Sequence, residues 1–158
     1  MSTLILYISK HGCAKKSAKK LSELIKDKTE IIDIRKNFPK SIQDFDTIII
    51  GGSIHAGMIQ KKVKKLCKQF SNELINKKLG LFLCCMEEGE KANEQFENAY
   101  PENLQKHATA TGLFGGEFTF EKMNFLEKSI VKKISKISES VSKINEKAIN
   151  EFAINIQN

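Results

Sequence analysis

The sequence predicts an α/β fold in which a doubly wound, five-stranded parallel sheet is covered by helices on both faces. Two observations predict it. Apolar runs at residues 4–8, 45–50 and 79–85 lack polar alternation, as strands buried on both sides do. Segments with helical periodicity stand between such runs, and parallel strands need that kind of crossover.

The elements follow in order. Residues 4–8 form a strand broken by Ser-Lys-His-Gly, and residues 14–26 a helix whose Ala18, Leu21, Leu24 and Ile25 share a face. A second strand is expected at 30–34. The third, 45–50, carries Thr47, Ile48, Ile49 and Ile50 and stops at Gly51-Gly52. Residues 61–70 form a helix with Val63, Leu66, Cys67 and Phe70 inward, and 79–85 the fourth strand. A Glu-rich polar stretch follows, then a glycine-punctuated fifth strand within 108–118 and a mainly helical tail over 125–152.

With 158 residues, 41% hydrophobic and 28% charged, the chain is expected to form one domain spanning 1–158. The opening MSTLILYISK enters a strand without a basic leader, and no apolar run is long enough to span a membrane. Cys13, Cys67, Cys84 and Cys85 have no metal-site or disulfide-framework spacing, so free thiols in a reducing cytoplasm and no metal are expected. The net charge of +7 is concentrated before residue 100. It falls on two expected helices, one bearing Lys15, Lys16, Lys19, Lys20, Lys26 and Lys28, the other Lys61, Lys62, Lys64, Lys65 and Lys68. Without interleaved aromatics or a recognition motif these read as solvated faces, and no nucleic acid is expected as a partner.

In doubly wound sheets ligands bind beyond the carboxyl ends of strands, where the strand order reverses. Three loops fall there. Ser9, Lys10, His11, Gly12, Cys13 and Ala14 join a strand to a helix whose first amides have no internal partner; the loop is either an anion cradle or a plain turn. It is neither a Walker loop nor a GxGxxG fingerprint. The second loop, 51–58, has three glycines in seven residues, so its backbone could lie against a planar ligand. His55 is a surface residue or a donor near a redox ring. The third, 84–90, opens on Cys84-Cys85-Met86 and continues into Glu87, Glu88, Gly89 and Glu90. Adjacent strand residues point to opposite faces, so buried, unlinked thiols are expected in preference to a vicinal disulfide.

The Ser9-x-x-Gly12 turn, IIIGGSIHAGMIQKKVKKL, LGLFLCCMEEGE and GLFGGEF together resemble the flavodoxin superfamily over essentially the whole chain. They are most similar to the branch that includes the menaquinone-dependent protoporphyrinogen IX dehydrogenases. The resemblance implies strand order 2-1-3-4-5 and noncovalent FMN. It would place the phosphate on Ser9, Lys10, His11, Gly12, Cys13 and Ala14. Ser53, Ile54, His55, Ala56 and Gly57, with Met86, Glu87, Glu88 and Gly89, would border the ring. The chain departs from the pattern in three ways. Ala14 stands where the phosphate loop commonly has Thr, no aromatic sits in the second loop so that Phe96 or Tyr100 would have to serve, and the protein is basic.

The expected function is electron transfer through FMN with a redox partner protein or a quinone. The alternatives are a quinone-coupled flavoenzyme acting on a tetrapyrrole, and a flavin-free interaction module; no catalytic residue is assigned. For the enzyme, Phe118, Phe120, Met123, Phe125 and Leu126 would face an apolar substrate. Lys128, Lys132, Lys133 and Lys136 would meet its carboxylates or a membrane surface peripherally. The row Ile130, Ile134, Ile137, Val141 and Ile144 reads as helical core.

Overall fold

The structure, a computed structural model, describes residues 1–118 and 141–158. Its elements are β1 (Ser2–Tyr7), α1 (Cys13–Leu24), β2 (Lys28–Asp33), β3 (Thr47–His55), β4 (Met58–Ile59), α2 (Lys61–Gln69) and α3 (Ser71–Leu74). Then come β5 (Lys78–Cys84), α4 (Gly89–Ala99), α5 (Glu102–His107), β6 (Ala110–Leu113), β7 (Gly115–Phe118), β8 (Val141–Ile144) and α6 (Glu146–Gln157). The main sheet runs β2-β1-β3-β5-β6 with every pair along that path parallel, and β4 folds back antiparallel on β3. Counting only the five parallel strands, this is the expected 2-1-3-4-5 order.

The unbroken apolar runs are explained by the period of two along a strand. Leu4, Leu6, Ile48, Ile50, Leu79, Leu81 and Leu83 join one buried cluster with Val63, Leu66 and Leu104 from α2 and α5. Ile5, Tyr7, Ile49, Phe82 and Cys84 point the other way and pack on Ala14, Ala18 and Leu21 of α1 and Ile149, Phe152 and Ile156 of α6. Helices therefore cover both faces, and Cys84 and its neighbour Cys85 fall in opposite clusters, as their adjacency requires. Among the described residues no helix is long and apolar enough to cross a membrane.

Several boundaries differ from the sequence reading. The third strand does not stop at Gly51-Gly52 but continues to His55, because Ile54 and His55 pair with Ile59 and Met58. The expected loop thus shrinks to the turn Ala56-Gly57. The fifth strand divides: Ala110–Leu113 joins the parallel sheet, whereas Gly115–Phe118 pairs antiparallel with Val141–Ile144. Val141 and Ile144 are therefore strand residues and not part of a helix. Pairing with 115–118 satisfies their backbone, and the helix starts only after Asn145, whose Oδ1 caps it by accepting from the Ala148 amide at 3.0 Å. Lys26 lies past the end of α1 and Lys28 opens β2. Phe120, Met123, Phe125, Leu126, Lys128, Ile130, Lys132, Lys133, Ile134, Lys136 and Ile137 lie outside the described residues.

Candidate functional site

From β1 the chain crosses to β2 on one side and to β3 on the other, so the order reverses beside the carboxyl end of β1. Residues 9–14 occupy this position. Ser9 is buried, and its Oγ accepts the Gly12 amide at 3.0 Å, which folds the loop into a tight turn. Gly12 is the N-cap of α1 with φ of 102°, a conformation that disfavours any residue bearing a Cβ. No side chain caps this helix and its first turn carries no acid. Cys13 and Ala14 are already helical and buried, so their amides belong to the unpaired set at the start of α1. Lys10 is exposed and His11 half-buried.

The second segment is the β3–β4 hairpin. Both central residues of its two-residue turn have positive φ, Ala56 at 51° and Gly57 at 79°, as a type I′ hairpin demands. Glycine accepts this freely; Ala56 does so under strain. Gln60 clasps the hairpin from α2's N-cap position: its Oε1 accepts the Ser53 amide at 3.0 Å and its Nε2 donates to Ser53 Oγ at 2.7 Å. The exposed His55 ring lies 6.3 Å, centroid to centroid, from that of His11.

The third segment leaves β5 through the half-buried Met86 and the exposed Glu87 and Glu88. It enters α4 at Gly89, whose φ is 62°. Gly116 of β7 presses on it so closely that a Cβ there would come within 2.6 Å of Met86 Sδ. The Cys85 amide donates to the Gly115 carbonyl at 2.8 Å, fixing β7 across the end of β5.

A cleft forms where the three meet. Its walls are His11, Cys13, Ser53, Ile54, Cys84, Cys85, Met86 and Gly116, and it encloses about 20 Å³, room for roughly one water. Five of the residues expected from the sequence to contact the cofactor line it: His11, Cys13, Ser53, Ile54 and Met86. Ser9 braces the loop from beneath, while Lys10, Gly12, Ala14, His55, Ala56, Gly57, Glu87, Glu88 and Gly89 are not among its walls. Phe96 and Tyr100 are corrected as ring partners. Tyr100 is buried with its hydroxyl donating to the Ile50 and Phe82 carbonyls, and Phe96 packs beside it at 5.2 Å. Their rings belong to the core because the apolar face of α4 turns toward the sheet.

Sequence reasoning missed Gln60, Gly116 and the wall-forming role of the two adjacent cysteines. The double glycine at 115–116 was the available signal for Gly116; nothing local marks Gln60. Burial holds the Cys85 thiol at about 11, with the Glu87 charge adding to the effect. Burial, reinforced by Cys13, pushes Cys84 well above the ordinary thiol range. The local charge is divided: α1 presents exposed Lys15, Lys16 and Lys19, and the third segment presents exposed Glu87, Glu88 and Glu90. An uncapped helix start with an αL glycine, a buried hydroxyl behind it and no acid in its first turn is suited to an anion such as a phosphate.

A doubly wound α/β protein with an anion-suited loop at its switch point is the class that fold and site define. The family model for the flavodoxin domain matches residues 4–145, and the chain belongs to that family. Among solved structures it is similar to oxidised flavodoxin 1 from Bacillus cereus, with 18% identity, 99% of this chain and 97% of that one covered, and a TM-score of 0.61. A Fusobacterium nucleatum flavodoxin variant bound to flavin mononucleotide gives 14% identity, 99% and 95% coverage and a TM-score of 0.54. A WrbA-like flavodoxin from Agrobacterium tumefaciens gives 15%, 99% and 95%, and 0.54. At these identities the likeness shows the fold. No curated protein matches the chain.

Proposed function

We propose that the protein binds FMN noncovalently at the carboxyl ends of β1, β3 and β5 and exchanges electrons with a partner through it. The observation that carries this reading is the start of α1: an αL glycine, no side-chain cap and no acid in the first turn. Those unpaired amides, with the Ser9 hydroxyl behind them, would hold the phosphate. A backbone amide does not need the hydroxyl that Ala14 lacks, so this departure leaves the donor set able to bind. Ser53 to Gly57 and Met86 to Gly89 would border the ring. When bound, FMN supplies one- or two-electron redox chemistry; the chain positions it and sets its electrostatic surroundings. Exchange with a partner is supported by exposure of the whole hairpin tip, His55 to Met58, where Met58 is 60% exposed. Oxidation of a tetrapyrrole with a quinone as acceptor is the alternative, and it rests on Phe118, Phe120, Phe125 and the lysines that follow them in sequence.

Titration of the purified protein with FMN and, separately, riboflavin tests the reading by absorbance and quenching of flavin fluorescence. FMN should bind at least about a hundredfold more tightly, since two charge-assisted hydrogen bonds contribute about 3 kcal/mol or more. Equal affinities would remove the phosphate from the loop, and no binding of either would remove flavin altogether. Menadione-coupled oxidation of protoporphyrinogen by the holoprotein, lost in Phe120→Ser/Phe125→Ser with FMN still bound, would establish the enzyme in place of the carrier.

A further inference from the structure

Four cysteines are buried among the described residues, and two of them meet. Cys13, the first residue of α1, and Cys84, the last of β5, lie 71 positions apart in sequence with their Sγ atoms at 2.7 Å. That is closer than two non-bonded sulfurs rest and only a short movement from a covalent S–S bond of about 2.05 Å. Their remaining neighbours are weak ones: Ser17 Oγ at 4.0 Å from Cys13 Sγ and 3.8 Å from Cys84 Sγ, and the Gly115 carbonyl at 3.6 Å from Cys13 Sγ. Cys85 points to the other face of the sheet with its Sγ near the Glu87 carbonyl, and Cys67 is buried in α2 on that same side.

We propose that Cys13 and Cys84 are a reversible dithiol–disulfide couple, closed by a small hydroperoxide and reopened by a dithiol reductant. Two observations beyond the distance support it. Both side chains form walls of the cleft, whose enclosed space is about that of one water, so a small oxidant that enters it meets both sulfurs. The pair also joins α1 and β5 within one buried cluster, so the two sulfurs are held facing each other by packing on both sides. In the first step the Cys13 sulfur attacks a peroxide oxygen. The O–O bond breaks, one water leaves, and Cys13 becomes a sulfenic acid. Cys84 then attacks that sulfur: the S–S bond forms, the S–O bond breaks, and a second water leaves with the Cys84 proton. Two thiols and one hydrogen peroxide thus yield one disulfide and two waters. A dithiol returns the two electrons and two protons by exchange.

The test uses the full chain without added flavin, so it is independent of the FMN reading. Stoichiometric hydrogen peroxide followed by alkylation in denaturant should drop the alkylated thiols from four to two. Peptide mapping should recover one link, Cys13 to Cys84, which dithiothreitol reopens. Cys84→Ser should trap a dimedone-reactive Cys13, and Cys85→Ser should close as fast as wild type. Four alkylated thiols after oxidant, a link through Cys85 or Cys67, or a bond that dithiothreitol does not reopen would each overturn the proposal. Mapping of the wild-type chain decides the matter even if a serine variant fails to fold. If the link forms and FMN does not bind, the flavin reading alone falls.

Discussion

Gly51 is the point at which the central strand makes room for an aromatic ring, and Gly51→Ala should be among the most damaging single-atom additions to this protein. A Cβ built at Gly51 would stand 1.9 Å from Phe82 Cζ and 2.2 Å from each neighbouring ring carbon. Gly51 and Phe82 are register partners on β3 and β5, so the methyl and the ring project from adjacent positions on one face. The ring has nowhere to go. Phe114 stacks on it at 4.8 Å, Phe152 meets it edge-on at 6.2 Å, and all three rings are fully buried. Overpacking of this kind costs about 1–3 kcal/mol, and the pinned ring places Gly51→Ala at about 3 kcal/mol. For a chain of this size that corresponds to a fall in Tm of roughly 6–12 °C. Urea unfolding followed by circular dichroism measures it, as a lower midpoint with an unchanged slope. Phe82→Leu should lose stability by itself through the cavity it leaves, but combined with Gly51→Ala the two losses should fall short of their sum by about 1 kcal/mol or more. A Gly51→Ala protein within about 0.5 kcal/mol of wild type, or a strictly additive pair, would refute the packing argument.

Tyr100→Phe should lose about 1–2 kcal/mol of unfolding free energy, because its buried hydroxyl donates to the Ile50 and Phe82 carbonyls and leaves them without that partner; urea titration checks it. Ala56→Gly should gain about 0.5–1 kcal/mol by relieving the positive φ of 51°, after allowing for the greater freedom of glycine in the unfolded chain; calorimetry checks it. Stability should also fall as pH rises from 9 toward 12. Burial raises the Cys67 thiol from its ordinary 9.0 to about 12, so above pH 9 the unfolded chain loses a proton that the folded one keeps. Cys67→Ala should flatten that fall by about 1.4 kcal/mol per pH unit across the window, measured by urea titrations at successive pH values.

What was legible in the sequence was what is local. The runs at 4–8 and 79–85 announce two-sided burial because each consecutive residue finds a core, Leu4 on one face and Ile5 on the other. The glycine at the start of α1 was legible because only a residue without a Cβ adopts φ of 102° readily. The hairpin was not, because its strand begins as a buried parallel partner of β5 and ends as an antiparallel partner of β4. No single periodicity describes such a segment. Val141 to Ile144 failed for the same reason: helical spacing of apolar residues persists there, and the deciding influence is pairing with Gly115 to Phe118.

The site lies one step further from the sequence, since its parts are brought together by topology. Cys13 reaches Cys84, and Gly116 reaches Met86, only because β5 lies beside β3 and β7 crosses its end. The same topology divides the charge. The uncapped start of α1 lies on one side of the cleft, where Cys13 forms a wall, and exposed Glu87, Glu88 and Glu90 lie in the segment that leaves β5. On the proposed reading, an anionic ligand end would be drawn to residues 9–14 and repelled from residues 87–90, so the field would orient a ligand that carries charge at one end only. A phosphate tethered to a flat, uncharged ring meets that condition, whereas a ligand anionic at both ends would set one charge against the glutamates.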